Sequence, residues 1–293
     1  MKVKTRVLEG KPIAAAVRED VKKRVAALHE RGRGVVLAIV LVGDDAVSRV
    51  YSESIARAAG NVGIETRLVE LPAEATREKL AGEIRRLSDD PGVAGIIVQR
   101  PLPDGIPDDV LEEIAPSKDV DGATARVMGL LMAGRRSFAP ATPLGVVEML
   151  ARSGLDVNGK HVAIVGRSPV VGRPLASLLL RKQPHGNATV TVCHTGTPDL
   201  AACTRAADIV VAAMGKPEAI RGDMIREGAV VIDVGVNRVK APGTKKGYRL
   251  VGDVAFDEML GKASAVTPVP GGVGRLTTAI LLRNTVEAAE RQI

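Results

Sequence analysis

Residues 161–181 read HVAIV-GRSPVVG-RPLASLLLR: an apolar run, a turn with two glycines, then an amphipathic run. A strand–turn–helix of this kind can receive a pyrophosphate, because turn amides and a helix N-terminus both offer N–H donors. Gly166 suits the tight turn, and Gly172 suits close packing of the helix. Ser168 stands where the GxGxxG pattern has its middle glycine, so the turn taken alone also fits an ordinary tight strand–helix connection. A second signal comes at the end of the next apolar run, where NAD-selective enzymes carry an acid for the ribose 2′-hydroxyl. Here the chain reads Cys193-His194-Thr195-Gly196-Thr197, with no carboxylate, and Arg167 adds a guanidinium to the phosphate turn. Both features favour NADP, with NAD also possible. His194 has two readings: a contact to adenine or to the 2′-phosphate, or a solvated loop histidine.

Alternating elements must position these groups. Lys11 to Glu30 is amphipathic, with Ile13, Val17, Val21, Val25 and Leu28 near helical spacing. Val35–Val42 is an unbroken apolar run, the pattern of a strand buried on both faces. A helix is expected over 45–59, a strand over 66–71, a helix over 76–87 and a buried strand over 93–98. Residues 99–142 read as loop, punctuated by Pro101, Pro103, Pro107, Pro116 and Pro140. After a helix from Leu144 to Arg152, a second series begins. It places strands at 161–165, 188–193, 209–213 and 229–234, and helices at 172–181 and 198–205. A long amphipathic helix follows Gly271. At 293 residues the chain has room for about two domains of roughly 150 residues. Strand–helix alternation predicts two α/β domains around a cleft, the second a Rossmann-type dinucleotide-binding domain. The expected division is 1–145 with the helix 275–293, and 146–274. Ligands in such folds gather at the carboxyl ends of the strands.

Composition excludes several functions. With two Phe, two Tyr and no Trp, the chain has almost nothing on which to stack single-stranded bases. No run of Lys or Arg exceeds two residues, so the net charge of +7 suits small anionic ligands better than nucleic acid. Two cysteines without a CxxC, and four scattered histidines, argue against a metal site. No stretch approaches the roughly 18 apolar residues of a membrane span, and the N-terminus has no apolar leader, so a cytoplasmic protein without a membrane partner is expected.

Nine motifs then occur in order: SRVYSES (48–54), VQRPLP (98–103), KDVDG (118–122), ATPLG (141–145), GRSPVVGRP (166–174), GKP (215–217), VIDVGVN (231–237), VGDV (251–254) and TPVPGGVG (267–274). With these motifs the chain resembles the methylenetetrahydrofolate dehydrogenase/cyclohydrolase family over essentially its whole length. The resemblance implies NADP-dependent oxidation of 5,10-methylenetetrahydrofolate to the 5,10-methenyl form. In most members hydrolysis to 10-formyltetrahydrofolate follows. It also implies a homodimer formed through the nucleotide-binding domains. By position, Tyr51 matches the family's active-site tyrosine, Gln99 its glutamine and Asp121 the aspartate that grips the pterin. Pro270, Gly271 and Gly272 match the segment beside the folate. Gly166, Arg167, Ser168, Gly172, His194, Thr195, Gly215 and Val236 fall on dinucleotide-binding stretches. Asp119 reads as structural, and Asp121 itself could be a turn aspartate.

The chain also departs from the family. Where the family has a lysine four residues after the tyrosine, this chain has Ile55. Arg100 stands in place of a leucine, Ala123-Thr124 differ after the aspartate loop, and Arg275 replaces a proline. Isoleucine cannot move a proton, so the expectation is a dehydrogenase with weak or absent cyclohydrolase activity. The alternatives are a bifunctional enzyme in which Arg57 or Arg100 substitutes for the lysine, and a paralogue that binds NADP or folate without turnover.

Overall fold

The computed structural model describes residues 3–244 and 247–292, which leaves residues 1, 2, 245, 246 and 293 outside the described set. The first half of the chain forms β1 (Arg6–Val7), α1 (Gly10–Glu30), β2 (Val36–Val42), α2 (Ala46–Gly60), β3 (Glu65–Leu71), α3 (Arg77–Asp89), β4 (Gly95–Val98), α4 (Ala125–Met132) and α5 (Ala141–Arg152). The second half forms β5 (His161–Val165), α6 (Gly172–Leu180), β6 (Thr189–Cys193), α7 (Leu200–Ala206), β7 (Ile209–Ala212), β8 (Val230–Asp233), β9 (Asn237–Lys240), β10 (Tyr248–Val251), α8 (Phe256–Met259), β11 (Ala265–Val266) and α9 (Thr277–Arg291).

These elements fall into two α/β units: Ala15–Ala141 with Thr278–Ile293, and Met1–Ala14 with Thr142–Thr277. The sequence pattern alone places residues 1–14 with the first domain. In the structure β1 instead adds in parallel to β11, with Arg6 opposite Ala265 and Val7 opposite Val266. A two-residue strand has no periodicity to read, which is why the segment gave no sign of its partner.

The unit around β2 has a parallel sheet in the order β3-β2-β4. All seven residues of β2 are buried, as expected for a central strand covered on both faces. Each large aliphatic side chain fully buried there contributes about 1.5–3 kcal/mol. Helix starts follow from capping: Asp45 accepts from the Ser48 amide at 2.7 Å, and Thr76 from the Lys79 amide at 3.2 Å. The loop expected over 99–142 contains structure the reading missed, a 3₁₀ turn at Asp108–Glu113 and helix α4. Thr124 caps α4 by accepting from the Val127 amide, and Val127 and Leu131 form its buried stripe. The surrounding prolines masked this short amphipathic run.

The other unit carries six parallel strands in the order β1-β11-β8-β7-β5-β6. This is the Rossmann-type sheet the strand–helix alternation predicts. The antiparallel hairpin β9–β10 was not anticipated. Nor does the last helix begin at Gly271: a 3₁₀ turn at Val273–Arg275 precedes α9.

Helix α9 completes the β2 unit through side-chain donors. Buried Asn284 donates from Nδ2 to the carbonyls of Val120 at 2.8 Å and Ala139 at 3.1 Å. Asn284→Leu keeps similar bulk but leaves two buried carbonyls without those donors. It should lower unfolding stability by about 2 kcal/mol, read from urea denaturation followed by circular dichroism.

Candidate functional site

In the β2 unit, three expected residues come from elements that meet at the carboxyl edge of the sheet. Gln99 directly follows β4, is 8% exposed, and its amide donates to the Val40 carbonyl at 2.8 Å. Ser48 Oγ donates to the Arg100 carbonyl at 3.3 Å, which ties the first turn of α2 to that strand end. Tyr51 lies three residues further along α2 and is 43% exposed. Asp119 forms a parallel bridge to Ile96, which lays the 118–122 loop beside β4.

That loop is built around Asp119, which is fully buried. Its two carboxylate oxygens accept from the Ala123 and Thr124 amides, each at 2.9 Å. Lys118 is also committed to structure: Nζ donates to the carbonyls of Leu87 and Asp90 at the end of α3. Asp121 is left half-buried, and its carboxylate accepts no hydrogen bond from the described residues. Burial pushes its carboxyl up to about 6, the Asp119 charge adds to the shift, and the Arg100 guanidinium opposes it. A folded-state value above the ordinary carboxylate range means the native chain holds this proton more tightly than the unfolded one. The associated stability is present below about pH 4 and is lost as pH rises through about 6.

Ile55 is fully buried, at 0% exposure, in the stripe of α2 that also holds Ser48, Ser52 and Ala59. It lies about 40° round the helix from Tyr51.

In the six-stranded unit the expected dinucleotide residues also follow strand ends. Gly166, after β5, has φ +136°, and a Cβ there would lie 2.1 Å from the Ala213 carbonyl oxygen. A Cβ on Gly172 would lie 2.0 Å from the Gly166 oxygen. Ser168 Oγ accepts from the Val171 amide at 3.1 Å, so the serine closes the turn in place of a middle glycine. Backbone therefore packs against backbone without intervening side chains, ahead of a nine-residue helix. This is a cradle that fits a pyrophosphate. Arg167 is exposed beside it. After β6, His194 Nδ1 accepts from the Gly196 amide at 3.0 Å, so the neutral ring carries its proton on Nε2. Thr195 is exposed next to it. Gly215 follows β7 with φ +68°, and Val236 follows β8 at 61% exposure. Pro270, Gly271 and Gly272 follow β11 in this same unit, where the Gly271 carbonyl accepts from the Gly10 amide at 2.8 Å.

The sequence reading did not single out Asp233 and Asp253. Both are buried, and between them they accept six hydrogen bonds. The only signal was their place in the VIDVGVN and VGDV motifs.

A six-stranded parallel sheet with a glycine-walled turn after a central strand defines a dinucleotide-binding α/β enzyme. Residues 140–293 match the family model described as tetrahydrofolate dehydrogenase/cyclohydrolase, NAD(P)-binding domain, and residues 8–121 match its catalytic domain. The chain belongs to the tetrahydrofolate dehydrogenase/cyclohydrolase family. It is 50% identical over 286 residues to the bifunctional protein FolD of Moorella thermoacetica, covering 97% of this chain and 99% of that protein. The crystal structure of the bifunctional FolD enzyme of Campylobacter jejuni is similar with a TM-score of 0.92 and 42% identity, covering 99% of this chain and 100% of that one. The Trypanosoma brucei dehydrogenase–cyclohydrolase, solved with NADP cofactor and inhibitor, is similar with a TM-score of 0.89 and 40% identity, over 98% of each chain.

The balance of charges around Asp121 is testable. Arg100→Leu removes the cation that favours its ionised form, so the Asp121 titration should move above its value of about 6. Carboxyl-carbon NMR across pH 4–8 measures this, and a titration that moves down would show that Arg100 does not face it.

Proposed function

We propose that this chain is an NADP-dependent methylenetetrahydrofolate dehydrogenase in which the cyclohydrolase step is weak or absent. The observation that carries the dehydrogenase reading is the close backbone contact between Gly166 and Gly172 across the turn, with Arg167 exposed in it and no acid across Cys193–Thr197. In this reading the turn amides and the start of α6 hold the pyrophosphate. Arg167 pairs with the 2′-phosphate, with His194 and Thr195 alongside and Gly215 and Val236 towards the other end. When bound, the nicotinamide ring supplies a hydride acceptor. Asp121 takes the pterin N–H donors, which suits a carboxylate that accepts no hydrogen bond from the described residues. Above about pH 6 its negative charge also favours the amidinium cation that develops across N5 and N10. Tyr51 and Gln99 complete that pocket, and Pro270, Gly271 and Gly272 border the folate. Aligning the two rings is the main task, and orientation of this kind is worth about 7–11 kcal/mol of barrier.

Hydrolysis of the methenyl form has a different requirement. Water adds to the amidinium carbon, and protons must move onto a ring nitrogen and off the water. A positioned acid–base group contributes about 10²–10⁴-fold to such a step. Ile55 offers none. A second reading retains hydrolysis with Arg100 as a fixed cation, supported by its electrostatic reach to Asp121. A guanidinium can stabilise an oxyanion but does not shuttle protons at neutral pH. We further propose a cytoplasmic homodimer. Two free thiols, Cys193 and Cys203, suit a reducing compartment. No helix among the described residues is long and apolar enough to cross a membrane.

Cofactor choice is tested by kcat/KM with NADP and with NAD. Arg167→Ala should raise the KM for NADP about tenfold or more and leave that for NAD nearly unchanged. Equal kcat/KM for both cofactors in the parent chain would overturn the preference. The second step is tested with 5,10-methenyltetrahydrofolate alone: its absorbance should decay near the uncatalysed rate with the parent chain and faster with Ile55→Lys. Because Ile55 is fully buried, the lysine must reach out along its alkyl stem, so partial recovery is expected. Rapid enzyme-dependent decay with the parent chain would favour Arg100 instead.

A further inference from the structure

Two buried carboxylates outside the expected site tie together the loops that follow β7 and β8. Asp253 is fully buried. Its Oδ2 accepts from the Met214 amide at 2.6 Å and the Gly215 amide at 2.9 Å, and its Oδ1 from Asn237 Nδ2 at 2.8 Å. Asp233, 3% exposed, accepts through Oδ1 from the Gly235 amide at 2.9 Å and the Asp253 amide at 3.0 Å, and through Oδ2 from the Val254 amide at 2.9 Å. The Asp233 amide itself donates to Thr267 Oγ1 at 2.7 Å. The packing is reciprocal. A Cβ on Gly235 would lie 2.2 Å from the Asp253 carboxylate, and one on Gly252 would lie 1.7 Å from Asp233 Oδ2. Each carboxylate fills the space beside a glycine within two residues of its partner.

The sheet order says which half of a dinucleotide these loops serve. Strand order reverses at β5, with β6 on one side and β7, then β8, on the other. A dinucleotide lies across such a reversal, with its pyrophosphate on the turn after the first strand. The adenine half belongs over β6, where His194 and Thr195 lie. The nicotinamide half belongs over β7 and β8, where Gly215 and Val236 lie.

We propose that Asp253 is a positioning residue for the nicotinamide half of the dinucleotide, acting through the Met214–Gly215 turn and Asn237. This rests on the NADP reading above. Asp253 draws the Met214 and Gly215 amides inward, which fixes the turn, while the exposed Gly215 and Val236 are left towards the ligand side. Hydride transfer tolerates little misplacement of the ring, so Asp253 influences the rate without touching the ligand.

Asp253→Asn retains shape but turns one acceptor into a donor, so it cannot satisfy all three N–H groups. Calorimetry with NADP and with the adenine-half fragment 2′,5′-ADP separates positioning from general damage. NADP affinity should fall about tenfold or more, with 2′,5′-ADP unchanged within about twofold and kcat for methylenetetrahydrofolate oxidation reduced. If Asp253→Asn does not fold, Asn237→Ala removes one of the three bonds and should give the same split at smaller size. Equal weakening of both ligands, or parental NADP affinity and kcat in both variants, overturns the proposal and leaves the NADP reading standing. A parent chain that binds neither ligand overturns both.

Discussion

Parallel strands end in loops whose amides have no strand partner, and in this chain buried carboxylates supply the acceptors. Asp119 holds the turn after its bridge to β4 through two amides. Asp233 holds three amides and Asp253 two, together with a side-chain amide. Removing a carboxylate from water is costly, and charge-assisted hydrogen bonds to several N–H groups offset that cost. The arrangement works only where the neighbouring backbone comes close. That is why Gly235 and Gly252 stand where a methyl group would strike the carboxylates. The loops that carry the candidate ligand residues are thus set by groups beneath them.

Asp121 differs from these three in the respect that matters for chemistry. It shares a loop with Asp119 but accepts none of the amides of the described residues. Burial raises its carboxyl to about 6, as it does that of Asp233, so what sets Asp121 apart is the absence of amide donors and not the shift itself. The structural aspartates are hydrogen-bonded by the protein, and Asp121 accepts no hydrogen bond from the described residues. In the proposed function, Ile55 on α2 supplies bulk where a proton carrier would serve hydrolysis. Arg100 is the nearby cation whose charge reaches Asp121. In the proposed function, the groups needed to bind and orient are present and the group needed to move a proton is missing.

Much of the architecture was legible in the sequence because it depends on burial period and turn chemistry. The apolar runs at 35–42 and 161–165 became β2 and β5, and the glycine turn between β5 and α6 has the backbone contacts expected of it. Elements defined by distant partners were not legible. Strand β1 exists because β11 lies beside it, and the β9–β10 hairpin has no strong alternation of its own. Helix α4 was hidden by prolines, although Thr124 at its cap and Val127 and Leu131 on its inner face were readable. Individual site residues were placed by motif, whereas the roles of Asp233 and Asp253 depend on amides brought from elsewhere in the chain. No local pattern encodes that.

The discontinuity of both units bears on how the protein is made. The sheet edge built from Arg6 and Val7 waits for Ala265 and Val266, and the carbonyls of Val120 and Ala139 wait for Asn284. Synthesis proceeds from the N-terminus, and domains generally fold as they emerge. Here neither unit can close its structure until these late segments have emerged from the ribosome. Until then the nascent chain carries two unfinished cores at once.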